Sequence, residues 1–164
     1  KEDIVVFPHR WDEEKLPDNC NGLAARLGDE YRFVHTTGRT GSSGNGPEPH
    51  ENVEVIRNPE SKKPYYELLS KAKVIFSSAL QDTVGNAMFE AINLGCTPVA
   101  PHGQYDEYIP PAYRYERYDL YEAAELIQHY MDDENHEQVP EITEQFNKST
   151  KKMLRTMAEE NNIQ

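Results

Sequence analysis

The sequence predicts an α/β fold, with a parallel sheet covered by helices on both faces. Short apolar runs alternate with segments of helical periodicity along the chain, which is the pattern of repeated strand–helix–strand units. The first run, Ile4-Val5-Val6-Phe7, has the unbroken apolar character of a strand buried on both faces. A length of 164 residues suits one ordinary domain with a sizeable core.

The first strand is Ile4 to Phe7, and its loop, Pro8 to Asp18, leads into a helical segment around Asn21 to Leu27. Tyr31 to Thr36 is the second strand, followed by a long Gly-rich loop, Gly38 to His50. Val53 to Ile56 is the third strand. Pro64 to Ala72 reads as a helix because Tyr65, Leu68, Leu69 and Ala72 recur at helical spacing. Val74 to Ser77 is the fourth strand, and Val84 to Leu94 a helix stopped by Gly95. Thr97 to Ala100 is the fifth strand, closed by Pro101. Tyr118 to Met131 is a helix with Leu120, Ala123, Ala124 and Ile127 on one side. A last, strongly polar helix covers about Pro140 to Glu160.

Composition narrows the function. The chain has 17 basic and 29 acidic residues, a net charge of -12 and a pI near 4.9. Nucleic-acid backbones need a basic stripe, so direct nucleic-acid binding is not expected. Mean hydropathy is -0.85, and no apolar run approaches the roughly 20 residues of a membrane span. Two cysteines cannot form a disulfide framework, which points to a reducing, cytoplasmic setting. Cys96 is expected as a buried inert thiol and Cys20 in an exposed turn. The six histidines lie far apart without metal-ligand spacing, so no metal site is expected. A core strand begins three residues after Lys1, which suggests one lobe of something longer.

In parallel sheets, ligands bind beyond the carboxyl ends of the strands. The positions to inspect are therefore those after Phe7, Thr36, Ile56, Ser77 and Ala100. After the first strand, Arg10 and Lys15 stand five apart in a loop. Two cations there suit a diphosphate, Arg as a bidentate fork and Lys as a point charge. The bland alternative is a pair of surface cations matched to Asp12, Glu13 and Glu14. After the fourth strand, Gly85 permits a tight turn, and the helix that follows offers free N–H groups to an anion. Asp82 precedes it, while Asn86, Glu90 and Asn93 share one helical face; a solvated polar stripe would look the same. The segment Gly38 to Pro49 has four glycines but no Lys, so it is not a Walker A loop. It is a mobile surface loop or a phosphate- or sugar-contacting one. Packing is the default for Tyr105, Tyr108, Tyr113, Tyr115, Tyr118 and Tyr121. The stretch Pro101 to Tyr105 stands at a strand end and is a candidate cleft border.

Taken in order, these pieces resemble the C-terminal, donor-binding lobe of GT-B glycosyltransferases, the retaining family called glycosyltransferase group 1. That family carries Arg-x4-Lys after the first strand of this lobe, here Arg10 to Lys15. It also carries Glu-x-x-Gly-x4-Glu running into Glu-Ala-x-x-x-Gly-x-Pro-Val. Here the segment runs from Asp82, Gly85 and Glu90 through Ala91 and Gly95 to Pro98 and Val99. The resemblance implies a Rossmann-like sheet, one lobe of a two-lobe fold, with the N-terminal acceptor lobe absent from this sequence. It also implies a UDP- or GDP-sugar as donor substrate, a hexose as the transferred group, and neither cofactor nor metal. Arg10 and Lys15 would clamp the pyrophosphate and Glu90 would accept from the ribose hydroxyls. Asp82 would meet the transferred sugar, and the backbone of Thr83, Val84, Gly85, Asn86 and Ala87 would hold sugar hydroxyls and phosphate oxygens. The base would lie near Arg57 and Asn58. Two positions depart from the family: Asp82 stands for the usual Glu, and His9 for the usual Gly before the clamp Arg. Phe7 to Asp12 and Ala79 to Asp82 are similar to the subgroup that mannosylates queuosine-modified transfer RNA, which would place nucleic acid on the other lobe. The alternatives are a non-catalytic nucleotide-sugar-binding module and a nucleotide-sugar epimerase on the same scaffold.

Overall fold

The structure, a computed structural model, describes residues 1–37, 46–57, 62–82 and 85–133, together with Glu144 and Lys148. The elements are β1 (Glu2–Phe7), a 3-10 turn (Glu13–Lys15), α1 (Pro17–Leu27), β2 (Arg32–Thr37), β3 (Val53–Arg57), α2 (Lys63–Lys71) and β4 (Ala72–Phe76). They continue with α3 (Asn86–Asn93), β5 (Thr97–Pro101), a second 3-10 turn (Pro111–Tyr113), β6 (Arg114–Tyr115) and α4 (Leu120–Met131). The strands form one sheet in the order β3-β2-β1-β4-β5-β6, and every pairing is parallel. This is the doubly wound, Rossmann-like arrangement.

The alternation in β1 explains the two layers. Ile4 and Val6 face α2 and α3, packing with Leu69, Ile75, Met88, Ala91 and Ile92. Val5 and Phe7 face α1 and α4, packing with Leu23, Ala24, Val74, Phe76, Ala124 and Ile127. Successive strand residues point to opposite faces, so an unbroken apolar run is what a sheet covered on both sides demands. The chain leaves β1 toward β2 on one side and returns to β4 on the other. Connections at that switch diverge, and a crevice opens beyond the carboxyl ends of β1 and β4.

Several boundaries differ from expectation. α1 starts at Pro17, four residues before Asn21, because proline suits a first helical turn. That places Cys20 on the inner face of α1, where it is buried with Leu23, Ala24 and Leu27 rather than in an exposed turn. Cys96 is buried as expected, and burial pushes both thiols up to about 12. α3 starts at Asn86 because Gly85 is left-handed, with φ of 66°. β4 takes in Ala72 and Lys73 and stops at Phe76, before Ser77. α4 begins at Leu120, where the Asp119 carboxylate accepts from the N–H groups of Tyr121 and Glu122, both at 3.0 Å. The short strand β6 was not expected: Tyr115 is buried in it and Tyr113 in the 3-10 turn before it, as are Tyr105 and Tyr108 upstream, while Tyr118 and Tyr121 are exposed. The expected last helix lies outside the described residues except Glu144 and Lys148, both helical. No helix among the described residues is long and apolar enough to cross a membrane.

Candidate functional site

The crevice between β1 and β4 is an open cleft of about 870 Å³. The connection after β1 supplies Pro8, His9, Arg10, Glu14 and Lys15 to its wall. The connection after β4 and the start of α3 supply Gln81, Asp82, Gly85, Asn86 and Ala87, and Gln104 comes from beyond β5. Sequence positions far apart thus meet because three strand ends lie side by side.

Arg10 and Lys15 both border the cleft but differ in kind. The 3-10 turn docks on the segment after β4: Leu80 donates its N–H to the Glu14 carbonyl at 3.0 Å, and Ser78 donates Oγ–H to the Lys15 carbonyl at 2.8 Å. This draws Lys15 inward, so it is buried, and its ammonium donates to the Gln81 carbonyl. Arg10 is 66% exposed, with Asp12 at 3.2 Å and Glu14 at 3.0 Å. The bland reading therefore describes the present partners of Arg10 but not those of Lys15. Exposed pairs of this kind contribute little, so the guanidinium can exchange partners readily.

Gly85 marks a close approach of two loops. An added Cβ would lie 2.6 Å from Tyr108 Oη and 2.8 Å from Tyr105 Cε1. No side chain among the described residues caps α3, and its first residues, Asn86 and Ala87, border the cleft. A helix start of this kind attracts an anion. Met88, Ala91 and Ile92 face the core, as the sequence predicts.

Asp82 sits at the inner wall, its side chain 22% exposed. Tyr105 donates Oη–H to Asp82 Oδ2 at 2.9 Å, and Gln104 donates Nε2–H to the Asp82 carbonyl at 2.7 Å. His9 Nδ1 lies 3.8 Å from the same Oδ2, and His9 Nε2 lies 2.7 Å from Ser77 Oγ. Burial pushes the His9 ring down to about 4, outweighing the upward pull of Asp82; Lys15 and His35 add to the downward push. The ring is therefore neutral near pH 7. Burial also drives the Tyr105 phenol up, so it keeps its proton. His35, at the end of β2, donates Nε2–H to the His9 carbonyl at 2.9 Å and holds that loop from behind. The sequence flagged His9 only as a departure and Tyr105 only as packing. Ser77 and Gln104 carried no signal beyond standing near strand ends.

The other expected site residues are more dispersed. Glu90 turns toward α2, where Lys62 Nζ lies at 2.6 Å and Tyr66 donates its hydroxyl at 3.0 Å. It is not part of the cleft wall formed by Asn86. Arg57 ends β3, the outermost strand on its side. Asn58, Thr83 and Val84 lie outside the described residues, as do residues 38–45 of the Gly-rich loop. The described tail of that loop is tied down: Gly46 donates its N–H to the Trp11 carbonyl at 3.0 Å, and Trp11 donates its indole N–H to the Pro47 carbonyl.

The sheet order and the crevice define a Rossmann-like α/β fold, and the fold is that of one lobe of the GT-B glycosyltransferases. No protein-family model matches the sequence. The structure is similar to TarM at 14% identity and a TM-score of 0.69, covering 96% of this chain and 34% of that one. It is similar to a UDP-forming α,α-trehalose-phosphate synthase from Burkholderia xenovorans at 12% identity and a TM-score of 0.71, covering 90% and 40%. WaaG, a glycosyltransferase involved in lipopolysaccharide biosynthesis, matches at 14% identity and a TM-score of 0.65, covering 91% and 43%. The chain spans less than half the length of each of these neighbours.

Proposed function

We propose that the chain is the donor-binding lobe of a retaining glycosyltransferase, holding a UDP- or GDP-sugar between β1 and β4. The observation that carries this is the convergence of Arg10, Lys15, Asp82 and the start of α3 on one crevice. In the reaction, the bond from the sugar to the diphosphate breaks and negative charge grows on the leaving group. Arg10, Lys15 and the first N–H groups of α3 stabilise that charge, and such preorganised donors are a main source of rate. Asp82 accepts from a hydroxyl of the transferred hexose, and Glu90, steadied by Lys62 and Tyr66, accepts from the ribose. Thr83, Val84, Arg57 and Asn58 keep the supporting roles given by the family resemblance. The acceptor binds mainly on another lobe of the same protein; a transfer RNA acceptor would lie there, away from this acidic chain. UDP is the favoured nucleotide, since the trehalose-phosphate synthase is UDP-forming and a TarM mutant is described with UDP. No cofactor or metal takes part in this reading, and two buried free thiols suit a reducing cytoplasm.

Calorimetry with UDP and GDP tests the assignment. Glu90→Ala should weaken binding by about 1–3 kcal/mol, the range for a hydrogen bond to a charged group. Equal affinity in both proteins would remove Glu90 from the site. A non-catalytic nucleotide-sugar module is the second reading, favoured by the shorter Asp82 carboxylate already engaged by Tyr105. It takes over if the full-length protein binds UDP or GDP but transfers nothing from a panel of UDP- and GDP-hexoses.

A further inference from the structure

Behind the cleft wall stand four polar side chains from three strand ends: His9, Ser77, Tyr105 and Asp82. Three of them are almost fully enclosed, at 5%, 0% and 3% exposure for His9, Ser77 and Tyr105. Buried polar groups are as a rule hydrogen-bonded. Tyr105 has one hydroxyl proton, and the carboxylate of Asp82 takes it at 2.9 Å. The Ser77 hydroxyl lies between two partners, His9 Nε2 at 2.7 Å and Tyr105 Oη at 3.2 Å. His9 Nδ1 faces Asp82 Oδ2 from 3.8 Å, beyond hydrogen-bonding distance. Gln104 fixes the backbone of the same residue through its carbonyl at 2.7 Å. The other oxygen, Oδ1, has no partner among the described residues, and Asp82 borders the cleft.

We propose that Tyr105 is a positioning residue that turns Asp82 so that Oδ1 accepts one hydroxyl of the donor sugar. This rests on the reading of the cleft as a nucleotide-sugar site. A carboxylate held at one oxygen presents one acceptor, in one direction. A free carboxylate at this wall could rotate and accept from either of two hydroxyls. The brace therefore restricts the site to sugars with a hydroxyl at one position and orientation, because an acceptor left unpaired in a closed site penalises sugars that lack it. Ser77 does not act as a nucleophile in this arrangement, because it is fully enclosed.

The test uses the full-length protein with a UDP- or GDP-hexose and the corresponding set of monodeoxy donors. Tyr105→Phe keeps the ring and removes only the hydroxyl. It should lower kcat/KM for the hexose donor by about 10-fold or more, the scale of one charged hydrogen bond. The inhibition constant of the free UDP or GDP should stay within about twofold, since neither carries the sugar. In an Asp82→Asn background the same change should cost less than about twofold, because residues that act through one group are not additive. In the wild type one monodeoxy donor should be discriminated against, and Tyr105→Phe should erase that discrimination. If Tyr105→Phe does not fold, the wild-type monodeoxy series carries the test: equal kcat/KM for every monodeoxy donor overturns the brace. Wild-type kcat/KM in the variant, or an equal loss in the Asp82→Asn background, overturns the brace. If Asp82→Asn transfers as wild type does while UDP or GDP still inhibits, Asp82 has no sugar role, and the brace falls while the donor-lobe reading stands. If neither nucleotide inhibits or binds, the donor-lobe reading falls as well.

Discussion

Lys15 and Arg10 differ in burial, and that difference fixes what each can do. The Lys15 ammonium is held by the Gln81 carbonyl inside the wall, whereas Arg10 reaches into solvent with two carboxylates beside it. Removing the Lys15 head group strands the Gln81 carbonyl and removes one of the hydrogen bonds that dock the 3-10 turn on the segment after β4. Lys15→Met should therefore destabilise the fold by about 1–3 kcal/mol. Arg10→Ala should stay within about 0.5 kcal/mol. Urea titrations of both variants check this; a stable Lys15→Met with a destabilised Arg10→Ala would reverse the assignment. Both changes should lower transfer by the full-length enzyme on the order of 10²-fold if each faces the growing charge of the diphosphate.

At the level of elements, α3 is placed by its first turn. Gly85 carries the left-handed backbone that lets the connection after β4 enter the helix, and Tyr105 and Tyr108 close over it. A methyl group there meets two aromatic side chains as well as an unfavourable φ. Gly85→Ala should cost on the order of 2 kcal/mol or more, the sum of backbone strain and a forced shift of the tyrosines. The same change moves the first N–H groups of α3, so UDP or GDP affinity should fall with it. Differential scanning calorimetry and binding titrations on one preparation separate the two effects. An unchanged melting temperature would mean that the tyrosines yield without cost.

For the whole molecule, the neutral buried His9 links stability to pH. An unfolded histidine titrates near 6.5, and burial holds this one at about 4 in the folded state. Between those values the unfolded chain binds a proton that the folded chain does not. Stability is therefore complete above pH 6.5 and falls as pH drops toward 4, by about 2 kcal/mol at pH 5 from this ring. Burial shifts His35 in the same direction, so it adds to the slope. Chemical denaturation at pH 7.5 and pH 5 should show the loss, and His9→Gln should show a shallower one. Equal wild-type stability at both values would mean that the ring is charged in the folded protein.

The strand–helix alternation, the two-sided burial of β1 and the positions of Arg10, Lys15, Asp82 and Gly85 beside the cleft were legible in the sequence. Each depends on local periodicity, or on the rule that parallel strands end at the binding side. The start of α1 was legible less well, because Pro17 opens the helix ahead of its apolar face, and Cys20 was misplaced with it. The turn of Glu90 toward Lys62 and Tyr66 depends on how α3 lies against α2, which no local pattern encodes. The grouping of His9, Ser77, Asp82 and Tyr105 joins residues 23 to 68 positions apart through hydrogen bonds. Sequence spacing determines which residues stand at strand ends; only the pairing of β1 with β4, and of β4 with β5, brings those ends within hydrogen-bonding distance.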